Sequence, residues 1–176
     1  KGKVRCVVVR EVCDGIVHCP EFGDDEWMCD IPDCPNLCSC TNSRVLCTHQ
    51  GAAKMGSNVI THSRIKWKQG VTVLSLSNSD VHSLDFLAYV RNLRYLNLSR
   101  NSIIDIQPYV FDSMIFLCSL DLSGNGLRRL QQGFLLHVQN IRFIDLSRNF
   151  LKILMFDIFV YHSEISVLNL SYNNID

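Results

Sequence analysis

The sequence predicts a solenoid of stacked coils, an α/β-type horseshoe with a parallel sheet on its concave face. Three observations carry that expectation. The run Leu93-x-x-Leu96-x-Leu98-x-x-Asn101 returns from Leu117 to Asn125, from Ile141 to Asn149 and from Ile165 to Asn173, and the four asparagines stand 24 residues apart. Eight of nine cysteines fall before residue 48, where a stack would need a covalently stapled end. At 176 residues and 47% apolar, the chain has enough hydrophobic surface for a core beside a small stapled module.

The repeat spacing has a physical basis. Leucines at repeat positions 1, 4 and 6 turn inward, and each contributes roughly 1.5–3 kcal/mol only when the next coil covers it. One coil alone is therefore unstable. Position 9 lies where the chain leaves the strand, and an asparagine amide there can satisfy backbone groups that stacking would bury unpaired. Asn101, Asn125, Asn149 and Asn173 are thus expected to form a ladder. This pattern resembles the leucine-rich repeat family, in which each unit is one short strand plus an irregular return.

Residues 71–176 read as one short, three full and one truncated repeat. In the short unit Val71, Leu74 and Leu76 face inward and Ser79 replaces the asparagine. On the return side, Phe111, Leu135 and Phe159 form one expected core column, and Met114, Val138 and His162 another. Cys118, at position 2, reads as an unpaired thiol packed as a small apolar group.

Seventeen basic side chains balance seventeen acidic ones, so no global field draws the protein toward nucleic acid. The distribution is uneven. Residues 1–33 carry eight acids against four bases, residues 34–70 carry five bases and no acid, and the remainder is close to neutral. The cysteine density points to disulfides and a secretory route. No run of about 18 apolar residues exists, the N-terminus lacks an export signal, and Asp176 falls inside a repeat. A piece of a longer secreted or surface protein is expected.

Residues 1–33 have too few apolar side chains for their own core, and carboxylates cluster on turns beside Cys13, Cys19 and Cys29, as in an oxygen cage for a hard cation. The stretch from Cys13-Asp14-Gly15 through Asp24-Asp25-Glu26 to Cys29 resembles the second half of an LDL-receptor class A module. The resemblance implies one calcium ion, held by the side chains of Asp14, Asp24 and Asp25 and the carbonyls of Glu11 and Ile16. His18 stands where the family has a ligand aspartate, which implies weaker binding, and one extra residue before Cys29 lets Glu26 stand in for Asp25. It also implies a Cys13–Cys29 disulfide and leaves Cys6 and Cys19 unpaired within this chain.

Residues 34–70 open with the spacing C-x3-C-x-C-x6-C over Cys34, Cys38, Cys40 and Cys47. It lacks the C-x2-C pairs usual for zinc, and an oxidising compartment favours disulfides. The spacing resembles the cysteine-rich N-terminal flank of extracellular leucine-rich repeat proteins, which implies Cys34–Cys40 and Cys38–Cys47 disulfides. Val45-Leu46 is expected to form a strand leading the sheet. Lys54, Arg64, Lys66 and Lys68 around Trp67 read as a solvated cap surface, and Pro32 stiffens the four-residue joint from Asp30 to Asp33 between the two modules.

Side chains alternate along a strand, so positions 3 and 5 should face outward on the concave sheet. Tyr95 and Phe143 at position 3, beside Asp121 and Asp145 at position 5, make an aromatic and acidic strip suited to a peptide bearing arginine or lysine. The sequons Asn97-Leu98-Ser99 and Asn169-Leu170-Ser171 bracket the two aspartates in the position-5 column. Glycans on both would leave a window roughly 10 Å wide at the usual strand spacing.

Class A module, cysteine-rich cap and 24-residue repeats, in that order, resemble the ectodomain of relaxin-receptor-type leucine-rich-repeat G-protein-coupled receptors, the molluscan kind with LDL-receptor-like modules most of all. That implies an extracellular region binding a peptide or protein hormone, with a membrane domain downstream. A secreted or matrix adhesion protein could use the same modules. The six histidines show no metal-ligand pairing and no adjacent nucleophile, which argues against an enzyme.

Overall fold

The computed structural model describes residues 38–41, 43–47, 71–155, 158–159 and 162–176. Its seven strands form one sheet in chain order. Strand β1 (Cys38–Thr41) pairs antiparallel with β2 (Arg44–Cys47). The parallel series β3 (Val73–Ser75), β4 (Tyr95–Asn97), β5 (Ser119–Asp121), β6 (Phe143–Asp145) and β7 (Val167–Asn169) follows β2 without a crossover. Each strand of this series is three residues long because only positions 3 to 5 run extended before the chain turns away.

Register brings like repeat positions together. Leu74, Leu96, Leu120, Ile144 and Leu168 lie side by side at position 4. The first four are at most 2% exposed, whereas Leu168, in the last of these strands, is 36% exposed. Position 6 is equally well covered at Leu76, Leu98, Leu122 and Leu146. In the cap, β2 places Val45 beside Leu74, so Val45 and Cys47 bury themselves as a position-4 and position-6 pair would. The hairpin partner β1, absent from the sequence expectation, presents Cys38 opposite Cys47, and the two form a disulfide.

The asparagine ladder is present and joins coils as well as closing each one. Asn125 Nδ2 donates to Leu122 O in its own coil and to Leu98 O in the preceding coil, both at 2.9 Å, while its Oδ1 accepts the Ile103 amide at 3.1 Å. Asn101, Asn149 and Asn173 repeat this three-way bridge at 2.8–3.1 Å. Ser79 reproduces part of it, because its hydroxyl reaches Cys47 O at 3.2 Å, the register equivalent of Leu76 O. A hydroxyl has one proton to give where an amide has two.

Position 8 shows a regularity that side-chain type conceals. Asn78, Arg100, Gly124, Arg148 and Tyr172 all adopt left-handed backbone, with φ from 53° to 65°. In the first four the turn aims the position-8 amide at the next coil, as in Arg100 N to Ser123 O at 2.8 Å and Gly124 N to Ser147 O at 2.9 Å. Only Gly124 adopts it without steric cost.

The return side holds the expected columns. Phe111, Leu135, Met114 and Val138 are at most 1% exposed and His162 is 6% exposed, its Nε2 lying 2.8 Å from Leu135 O. Phe111, Leu135 and Phe159 keep one turn position, their carbonyls accepting the Met114, Val138 and His162 amides at 2.9, 2.9 and 3.0 Å, and Phe134 bridges the two phenylalanines with edge-to-face contacts at ring centroid distances of 6.3 and 6.4 Å. One correction concerns Cys118, expected to be a free thiol. It is disulfide-bonded and 3% exposed. Position 2 lies on the flank of the coil, outside the inward leucine set, where its sulfur can be reached; spacing along the sequence carries no trace of such a long-range pairing. Cys40 is disulfide-bonded as well. Its expected partner Cys34, the pair Cys13–Cys29, Cys6, Cys19, Trp67 and the whole calcium set lie outside the described residues.

Candidate functional site on the concave face

Positions 3 and 5 face outward in β4, β5 and β6, as alternation along the strands requires. Tyr95, Ser119 and Phe143 stand in register, and so do Asn97, Asp121, Asp145 and Asn169. The small Ser119 leaves a notch between two rings that are two strands apart, about 9.5 Å at the usual spacing. Phe143 is 37% exposed and Tyr95 half-buried. Two residues farther along the same strand, Asp121 closes one end of this notch, with Asp145 beside it. The four residues expected to bind ligand, Tyr95, Asp121, Phe143 and Asp145, are therefore neighbours on one surface, and Ser119 is the member that sequence reasoning missed. Its only signal was a small residue between two aromatics in one column.

The position-5 side chains also serve the backbone. Asp121 Oδ1 accepts the Ser123 amide at 2.9 Å and its hydroxyl at 2.7 Å, and Asp145 Oδ1 accepts the Ser147 amide at 2.8 Å. Asn97 and Asn169 close the same turn onto Ser99 and Ser171 at 2.8 and 3.1 Å. An amide oxygen thus suffices for the turn. The negative charge at 121 and 145 adds nothing to it, and two like charges side by side on a sheet repel.

Among the described residues neither Arg100 nor Arg148 forms an ion pair with either aspartate. Arg148 instead lies over the Tyr172 ring, 4.8 Å from its centroid. Asp145 Oδ2 accepts Asn169 Nδ2 at 3.0 Å, while Asp121 Oδ2 accepts nothing among the described residues. The arrangement is an acidic notch walled by aromatic rings, the environment that a guanidinium or ammonium group meets with both charge and stacking.

Comparison with known proteins agrees with the fold. Residues 69–127 match the family model described as Leucine rich repeat. No curated protein sequence matches the chain. Among solved structures, the chain superposes on the APL1 leucine-rich repeat domain with a TM-score of 0.59 at 25% identity, covering 62% of this chain and 29% of that one. A chain of the LRIM1/APL1C complex offers a second similar structure, with a TM-score of 0.58, 25% identity and coverage of 60% of this chain and 20% of that one. A structure of a TLR13–ssRNA13 complex matches over 80% of this chain and 20% of that one, with a TM-score of 0.65 at 22% identity. The chain thus spans less than a third of the structures it resembles.

Proposed function

We propose that this leucine-rich repeat chain belongs to the extracellular ligand-binding region of a cell-surface receptor, and that its concave face holds a peptide or protein ligand by a basic side chain. One observation carries the reading. Asparagine closes the position-5 turn as well as aspartate does, so the turn does not call for the charge on Asp121 and Asp145, and Asp121 keeps one carboxylate oxygen open to a ligand. Two of the similar structures are complexes, one of LRIM1 with APL1C and the other of TLR13 with ssRNA13. An acidic notch favours a protein partner over a nucleic acid here, because phosphates would be repelled from it.

The order of modules supports a relaxin-receptor-like G-protein-coupled receptor, with a membrane domain supplied by sequence beyond this chain. No helix among the described residues is long and apolar enough to cross a membrane. The Cys38–Cys47 disulfide suits the outer side of the plasma membrane. In the same reading the N-terminal segment takes one calcium ion through Asp14, Asp24, Asp25 and the carbonyls of Glu11 and Ile16, and Asn97 and Asn169 carry glycans. A calcium titration of the chain that releases no heat would remove the metal from this account.

Peptides that differ only by arginine or citrulline at one position test the binding reading, since citrulline keeps the shape and drops the charge. Binding of the arginine peptide alone is expected. Equal binding of both, or of neither, overturns the reading.

A further inference from the structure

The side of the solenoid where the chain climbs away from the sheet carries a different chemistry from the concave face. Beyond each ladder asparagine, Ile103, Leu127 and Leu151 point inward and are fully buried, so the flanking residues face out. At the middle coil these are Gly126, Arg128 and Arg129, between Ile104 of the preceding coil and Phe150 and Lys152 of the next. Ile104, Asp105, Gly126, Arg128, Arg129 and Phe150 line an open groove of about 720 Å³. A Cβ at Gly126 would stand 3.0 Å from Ile104 Cγ2 and 3.3 Å from Ile103 O, so the two coils pack here too closely for a side chain.

The walls are apolar and wet, Ile104 being 72% exposed and Phe150 57%. The rim is basic. Arg128, Arg129 and Lys152 are exposed and have no acidic partner among the described residues. Asp105, the one acid in the groove lining among the described residues, accepts Gln131 Nε2 at both carboxylate oxygens at 3.0 Å and keeps its charge, so the two arginines outnumber it.

We propose that this groove is a second binding site, which takes an acidic peptide segment with one aromatic or aliphatic anchor. The anchor lies between Ile104 and Phe150, and flanking carboxylates pair with Arg128 and Arg129. Charge complementarity selects this occupant: two arginines in fork geometry, left without carboxylates beside an exposed apolar cleft, match glutamates around a bulky side chain. The site is independent of the acidic concave face, which would repel the same segment.

The probe is a fluorescein-labelled peptide with a single tryptophan flanked on each side by three glutamates, titrated against the full chain by fluorescence anisotropy. Saturable binding is expected, weakened roughly tenfold or more by R128E/R129E, a size common for truncated interfacial charge pairs. Replacing the tryptophan by serine should weaken it by a similar factor, and excess arginine peptide should leave it unchanged. Circular dichroism verifies that the variants are folded, and F150S, which removes an exposed apolar wall and leaves the charges, gives an independent loss. Undiminished binding to R128E/R129E and F150S, equal affinity for the serine peptide, or no saturable binding overturns the proposal. So does sedimentation showing that only self-association of the chain uses this surface.

Discussion

Asp145 Oδ2 accepts the Asn169 side-chain amide at 3.0 Å, whereas the matching oxygen of Asp121 accepts nothing among the described residues. Two aspartates that look equivalent in the repeat pattern are therefore unequal as ligand sites. D121N should weaken binding of an arginine peptide by about ten- to a hundredfold, the range of a charge-assisted hydrogen bond of about 1.5–3 kcal/mol. D145N should weaken it less. The stabilities should run the other way: D121N stays within about 0.5 kcal/mol of the parent, while D145N costs about 1 kcal/mol because Asn169 loses its acceptor. Calorimetric titration and urea unfolding of both variants check the two rankings.

The asparagine ladder should fail unevenly. Asn125 and Asn149 are at most 4% exposed and bridge two coils each, whereas Asn173 is half-buried at the last coil. An Asn125→Leu change strands one amide donor and two carbonyl acceptors, and should cost about 3–5 kcal/mol at about 1–3 kcal/mol for each worst-placed group. Asn173→Leu should cost about 1 kcal/mol, since water reaches the same groups. Urea midpoints of the two variants measure the difference.

Phe134 links Phe111 and Phe159 edge to face, and Phe134→Ala should cost about 3–5 kcal/mol through the cavity it leaves. Phe159, only partly buried, should cost less. Thermal unfolding of the two alanine variants orders them.

Backbone handedness gives a prediction with opposite signs. Gly124→Ala forces a side chain into φ 65° and should destabilise by about 1 kcal/mol, while Arg100→Gly at φ 55° should stabilise by a similar amount. Arg100 joins no ion pair among the described residues that would be lost. Chemical denaturation of this pair of variants reads both signs.

Much of the fold could be read from the sequence because its forces are periodic. Inward leucines and corner asparagines recur every 24 residues, so their partners are known once the period is known. The concave strip followed in the same way, by alternation along the strands. What escaped was not periodic or was set by backbone geometry. The β1 hairpin arises from four residues beginning at Cys38, with no repeat behind them. The left-handed column at position 8 hides under Asn78, Arg100, Arg148 and Tyr172, and Gly124 alone hints at it. Cys118 could not be matched with a partner because a disulfide depends on proximity in space and leaves no local mark. Phe134 escaped because it stands one residue outside the 24-residue column of Phe111, Leu135 and Phe159, so the period gives no sign that its ring bridges the two phenylalanines.

The most direct test of the binding account is the affinity of an arginine peptide for the D121N/D145N double variant, measured by titration calorimetry at low and high salt. Both asparagines keep the acceptor their turns need, so the concave face should fold as before. The account predicts that binding falls by at least roughly tenfold and that its salt dependence disappears, since the charges that create both are gone. Unchanged affinity with the parent's salt dependence would place the ligand elsewhere and contradict it.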